Sequence, residues 1–367
     1  SSQIRIKVDA PQRFEKELIK LGLNPLYSKQ KVTLERFLPG ISNHLRMRKI
    51  IPFLPIAIGG GVCDVYQPAE KKFKVTRQLL ERSRDFGIPI MVLTKSGLVL
   101  RDLDLLREIN HLSYANVSFT ITLIDNHTQK IFEPGSASSF QRFQALKIVR
   151  ENDLHGGVIF MPILPGIGDT EENIKQIIQK SKKVRAEFVI PGGLTLKPGR
   201  NKQQFLDVIQ QFFPDLSPMY QDLYRGNNKY GNPNPQSENI TNVCKICHEY
   251  CRKAGIPDRI PRYIPLGVPK RNFLVSTILH NLAYYLQWVD ERHWRSVAPF
   301  TKAANAIEGL SRDISGMKRE DLRSYLKTTK NVFSIISEVL ETGKSSDLMV
   351  YQDTETIFVN KERVTVF

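Results

Sequence analysis

The hydrophobic pattern changes period repeatedly along the first 213 residues. Short apolar runs predict strands: IRIKV (4–8), LPIAIGG (54–60), PIMVLTK (89–95), ANVSFTIT (115–122), GVIFMPI (157–163) and EFVIP (187–191). Between them, apolar positions recur at helical spacing. One helix is predicted from Pro68, with Phe73, Val75, Leu79 and Leu80 on its apolar side. A second starts near Ser136 as a cap and carries Phe140, Phe143, Leu146 and Val149. A third starts at DTEEN, where Asp169 or Thr170 caps, Glu171 and Glu172 complement the helix dipole, and Ile174, Ile177 and Ile178 face inward. Apolar strands alternating with amphipathic helices predict an α/β fold built on a parallel sheet or barrel. Ligands of such folds gather at the carboxyl ends of the strands, here GGGVCD, TKSG, TIT, MPILPG and PGG.

Other segments break this rhythm. Residues 24–53 interrupt it, and Tyr27 to Pro52 holds six Lys or Arg and one Glu, either a basic arm for nucleic acid or a solvated insertion. Residues 224–238 form a polar loop, in which Arg225 and Lys229 suit phosphates while Tyr224 and Tyr230 suit base stacking. Residues 263–345 read as a helical region and 346–367 as a small β-hairpin tail. The longest apolar run, 273–289, carries His280, Asn281 and Gln287, so a buried helix is predicted there rather than a membrane span.

Composition narrows the classes. Of 367 residues, 41% are hydrophobic and 25% charged, the balance of a globular protein. A net charge of +16 suits a polyanionic partner such as DNA, or simply solubility. Four cysteines in this length do not make a disulfide scaffold, which favours a reducing cytoplasm. Three of them lie in NVCKICHEYC (242–251). Cys244, Cys247 and Cys251 fall at i, i+3 and i+7 of one predicted helix, capped at Thr241 and stopped at Gly255. That spacing makes one core-facing stripe of small apolar side chains; a zinc or iron–sulfur site is the alternative weighed against it.

The stretches 64–106 (DVYQPAEKKFKVTRQLLERSRDFGIPIMVLTKSGLVLRDLDLL), 117–149 and 161–174 together carry D-x-Y-Q-P-x-E, TKS, RDLDLL and FEPG. In this arrangement the chain resembles the spore photoproduct lyase-like family of radical S-adenosylmethionine proteins, over residues 4–262. The resemblance implies a partial (β/α)6-type barrel, here lacking its first strand, followed by the helical region and β tail. It places S-adenosylmethionine across the strand ends: Lys95 and Thr120 at its methionine part, with Ser118 as the alternative hydroxyl, Gly60 and Gly61 against its amino group, and Pro162 and Ile163 against adenine. Arg142 is expected to make a helix-surface ion pair rather than a second cofactor contact. Cys63 lies two residues from the position of the family's hydrogen-atom donor; it is a candidate for that role, weighed against a small residue that simply ends a strand.

The resemblance also implies a [4Fe–4S] cluster held by C-x-x-x-C-x-x-C, where reductive cleavage of S-adenosylmethionine gives a 5′-deoxyadenosyl radical that abstracts hydrogen from the substrate. An electron donor such as ferredoxin or flavodoxin is then the expected partner. That motif is not in this sequence. The expectation is a chain cut short at its N-terminus, or one that has lost its cluster; the alternative function is a nucleic-acid-binding or regulatory remnant without catalysis.

Overall fold

The computed structural model describes residues 6–26, 54–59, 63–226, 228–265 and 267–352, and the backbone of 358–359. Five parallel strands, β1 (Ile56–Ile58), β2 (Ile90–Thr94), β3 (Ala115–Thr120), β4 (Val158–Ile163) and β5 (Val189–Gly193), form one sheet in sequential order. The α/β class and five of the six predicted strands are therefore observed. Of the sixth, IRIKV, residues 4 and 5 lie outside the described residues; 6–8 are irregular, and the chain enters helix α1 (Ala10–Lys20). Pro11 in its first turn and the i, i+4 pair Phe14 and Leu18 carry that helix.

Helices α2 (Glu70–Phe73), α3 (Val75–Phe86), α4 (Leu103–Leu112), α5 (Asn126–Phe132), α6 (Ser139–Glu151) and α7 (Glu171–Lys183) fill the crossovers. The helix predicted from Pro68 is two helices, broken at Lys74, which adopts a left-handed φ of 52°. Glu70 explains the break, because its carboxylate accepts from the amides of Thr76 and Arg77 and so caps α3. The cap of α6 is Ser138, not Ser136, in a reciprocal capping box with Gln141. Thr170 caps α7. Helices α8 (Arg200–Phe212) and α9 (Ser217–Leu223) follow β5, and α10 (Val243–Ala254) holds the three cysteines, capped by Asn242 rather than Thr241 and ended at Gly255.

Burial alternates along β2, β4 and β5, whereas β3 is buried throughout. Ile90, Val92, Val117, Phe119, Val158, Phe160 and Val189 are fully buried with Leu80, Leu106, Ile109, Leu146, Val149, Ile174 and Ile177 from the helices. The intervening side chains, Met91, Leu93, Ile159 and Ile190, are only half-buried, and Met161 is exposed. Helices thus cover one face of the sheet, and the other is partly open. In its centre β3 lays down Asn116, Ser118 and Thr120, all buried.

A second core lies in the C-terminal helices α11 (Lys270–Trp288), α12 (Trp294–Glu308), α13 (Arg319–Leu326), α14 (Lys330–Thr342) and α15 (Ser346–Met349). The predicted buried helix is α11. No helix among the described residues is long and apolar enough to cross a membrane. The hairpin tail is replaced in part. Ser346–Met349 is a helical turn, and β7 (Phe358–Val359) pairs in parallel with β6 (Arg262–Tyr263); the other residues beyond 352 lie outside the described ones.

The sheet-bearing unit meets the helical one through Glu308, which accepts from Arg262 (2.5 Å) and Ser276 and lies 3.6 Å from His280. Burial by itself would raise its pKa. Hydrogen bonds from His280, Arg262 and Ser276 outweigh that and bring it down to about 2. A depressed carboxylate pKa adds stability that is complete above the unfolded value, 4.5, and is lost as pH falls toward the folded one. Urea unfolding of the wild type should therefore weaken between pH 5 and pH 2 (roughly the span between the two states' pKa values), and Glu308→Gln should flatten that loss. An identical pH profile in the variant would refute the assignment.

Candidate functional site at the strand ends

Two of the sequence motifs interlock beside the site. Tyr66 donates to Asp102 (3.1 Å), and Arg101 bridges Asp102 and Glu70 (2.8 and 2.9 Å). Arg77 completes the cluster on Asp102 and Asp104 (2.8 and 2.7 Å). Asp102 has no solvent exposure, and a carboxylate so placed needs partners of this kind. The D-x-Y-Q-P-x-E and RDLDLL motifs are therefore two halves of one buried charge network.

Asp64 links this network to the mouth of the sheet. Its carboxylate accepts from Thr94 Oγ1 (2.7 Å), the Lys95 amide (2.6 Å) and the Tyr66 amide (2.8 Å). The backbone that presents Lys95 is thereby held. Gly59, ending β1 next door, has φ of 97°, and a Cβ there would sit 2.5 Å from the Leu93 carbonyl oxygen. Only glycine permits that approach.

Lys95 reaches across to Glu133 (2.7 Å). The other oxygen of Glu133 pairs with Arg142, which also donates to the carbonyls of Thr120 (2.8 Å) and Ala137 (2.9 Å). Arg142 is completely buried, so the predicted surface ion pair is instead an internal tie. It is reached because the capping box starts α6 at Ser138 and turns this residue toward the sheet. Burial pushes the Glu133 carboxyl up, and the charges of Arg142 and Lys95 overcome this and hold it below its ordinary range. In this triad two cations share one carboxylate. Lys95 is the one with access to solvent, its side chain 35% exposed.

Thr120 and Ser118 separate on inspection. Ser118 is fully buried, and its hydroxyl donates to Asn116 (2.6 Å). The Thr120 hydroxyl has no bonded partner among the described residues, and its carbonyl is fixed by Arg142. Thr120 is thus the available hydroxyl. Pro162 is half-buried, but Ile163 belongs wholly to the helix-side core and cannot line a ligand. The register bulge between Phe160 and Ile163 turns the chain there and leaves Met161 and Ile159 on the open face instead. Cys63 is exposed, one residue from Asp64. Gly60 and Gly61, like the basic segment from 27 to 53, lie outside the described residues.

Beyond β5, Tyr224 is buried and donates to the Leu194 carbonyl (2.9 Å), so it cannot stack on a base. Arg225 and Tyr230 are exposed, and the Lys229 ammonium lies 5.9 Å from the Tyr230 ring. Lys202 holds this loop through the carbonyls of Tyr224 and Gly226 (2.5 and 3.1 Å). It borders a cavity of about 480 Å3 lined by Lys197, Arg200 and Lys202.

The cysteines of α10 stand on one stripe. Cys247 and Cys251 are in the main core and Cys244 packs against it. Burial pushes all three thiols up, the reverse of what a thiolate ligand needs. Among the described residues no group of three or more His, Cys, Asp or Glu side chains is arranged to hold a metal ion.

The sequence reading missed Glu133, Asp64 and Asn116 as structural partners of the site. The alternation Asn116, Ser118, Thr120, Thr122 was a visible signal, since four polar residues at period two mark one strand face.

Comparisons with known proteins give relatives without functional names. An uncharacterized protein of Methanocaldococcus jannaschii is 34% identical over 154 residues, 42% of this chain and 55% of that one. An uncharacterized protein of Mycobacterium tuberculosis is 26% identical over 170 residues, 46% of this chain and 49% of that one. One from Acidianus two-tailed virus is 30% identical over 125 residues, 34% and 40% of the two chains. This chain spans about half the length of the curated relatives it matches. No protein-family model matches it, and no solved structure does.

Arg142→Ala leaves Glu133 buried with a single cation. Unfolding in urea should show a loss of about 3–5 kcal/mol, with Arg142→Lys intermediate. A loss below about 1 kcal/mol, the scale of an exposed pair, would mean that Arg142 is not an internal tie.

Proposed function

We propose that this is a radical S-adenosylmethionine-type protein, a partial barrel that binds the amino-acid end of S-adenosylmethionine at its strand mouth. One observation carries the reading. The Lys95 ammonium, paired with Glu133, and the Thr120 hydroxyl, without a bonded partner among the described residues, stand at the ends of neighbouring strands, and Arg142 joins Glu133 to the Thr120 carbonyl. A cation and a hydroxyl so placed suit a ligand carboxylate and its polar edge. Sequential strands with one half-open face also agree with a barrel arc, and Ile159, Met161 and Pro162 offer an apolar wall for a nucleobase.

S-adenosylmethionine, with a reduced cluster beside it, supplies the carbon–sulfur bond that the resembled family cleaves to start hydrogen abstraction. The described residues do not fit such a cluster, for the reasons given by the α10 thiols, so no radical step is derived for this chain. What the chain's own residues do is bind and orient: Asp64 sets the Lys95 backbone, Glu133 its side chain, and Arg142 the edge of β3. An electron-donor protein such as ferredoxin or flavodoxin belongs to the same reading as a partner.

The test is calorimetric titration of the full chain with S-adenosylmethionine and with 5′-methylthioadenosine, which lacks the amino-acid end. Lys95→Met should weaken the first about ten-fold or more and leave the second nearly unchanged. No saturable binding of S-adenosylmethionine by the wild type would sink the proposal.

A second reading, a surface for nucleic acid, is favoured by the cations Lys197, Arg200, Arg225 and Lys229 beside exposed Tyr230 at the same end of the sheet. Single-stranded DNA affinity should fall steeply with salt, and Arg225→Gln with Lys229→Gln should lower the slope by about one to two phosphate contacts. Absence of binding at low salt would exclude it.

A further inference from the structure

The C-terminal helices enclose a cavity of about 620 Å3 that the proposed function does not use. Its volume is in the range of small-molecule sites, about 300–1,000 Å3. The floor is apolar and buried: Leu282 and Leu286 from α11 and Phe300 from α12. Two opposite charges stand on the rim. Arg292 comes from the turn between α11 and α12, and Asp347 from the first turn of α15.

These two charges are not satisfied by each other. No ion pair joins them. Among the described residues the carboxylate that reaches Arg292 is Asp290, at 4.0 Å, and Asp347 has no bonded side-chain partner. The turn that presents Arg292 is itself constrained. Glu291 adopts φ of 57°, outside the range most side chains prefer, while the amides of Asp290 and Arg292 are held by the carbonyls of Tyr285 and Leu286 (3.0 and 2.8 Å). The backbone of the turn is thereby held, and the Arg292 side chain, 60% exposed, stands at the rim of the cavity.

We propose that this cavity binds a small zwitterion with an apolar body, a free α-amino acid or a dipeptide. Its carboxylate meets Arg292, its ammonium meets Asp347, and its side chain lies on Leu282, Leu286 and Phe300. An uncharged apolar ligand leaves both rim charges unused, and a simple anion is opposed by Asp347. Of the common ligand classes, the zwitterion matches both signs and the apolar floor together. The inference is independent of the strand-mouth site, which shares no residue with it.

Calorimetric titration of the full chain with leucine, phenylalanine and leucyl-leucine tests this and separates the two sources of the chemistry. Saturable binding is expected for at least one of them. Its C-terminal amide and its N-acetyl form should each bind about ten-fold or more weakly. Arg292→Gln should remove the discrimination against the amide, and Asp347→Asn that against the N-acetyl form. Both side chains are exposed, so unchanged thermal unfolding of each variant is expected. The proposal fails if none of the three ligands binds saturably, or if binding is indifferent to both substitutions.

Discussion

The architecture rests on the sequential order of its parallel strands. Crossovers between neighbouring parallel strands are right-handed as a rule, and five strands in the order 1-2-3-4-5 joined in that way place the crossover helices on the same side. That side becomes a dry core. The opposite side receives no helix layer from the crossovers, so its side chains need not be apolar. Chemistry can be built there, and the polar stripe of β3 is the result. Asn116, Ser118 and Thr120 point where a doubly covered sheet would demand valine and isoleucine.

Buried charge fixes the edges of that open face. Arg142 and Asp102 have no solvent exposure, and Glu70 and Glu133 have little. Ions in such places persist only when every one has a partner in good geometry. Satisfying them links segments far apart in sequence: Glu70 to Arg101, and Lys95 through Glu133 to Arg142. Lys95 is consequently held twice, at its amide by Asp64 and at its ammonium by Glu133. Preorganisation of this kind lowers the cost of binding, because the side chain loses little freedom when a ligand arrives.

The helical C-terminal unit is joined to the sheet-bearing unit by polar contacts as well as packing. His248 on the cysteine helix lies 2.9 Å from Asp258, which also accepts from Tyr285 of α11 (2.6 Å), and the Tyr285 ring stacks on Tyr351 (4.8 Å). Tyr351 in turn lines the zwitterion cavity. One chain of aromatic and carboxylate contacts therefore runs from the sheet's last helix to the rim of that cavity.

Periodicity alone determined the α/β class, the five strands, the helical C-terminal region and the cysteine stripe, because each of these depends on which positions of a local segment are apolar. Helix caps were legible only to within a residue or two. Ser138 and Asn242 win over Ser136 and Thr241 because a cap must meet amides whose direction is set by the packed helix. Assigning Arg142 to the surface failed for a related reason: nothing local distinguishes a guanidinium aimed at water from one aimed at a buried carboxylate nine residues earlier. The same holds for Tyr224 and Ile163, whose neighbours lie on other elements. Composition and local spacing state what each segment prefers. Which polar groups meet, and which are left free for a ligand, is decided only when distant segments are brought within a few ångströms and each buried charge must find its partner.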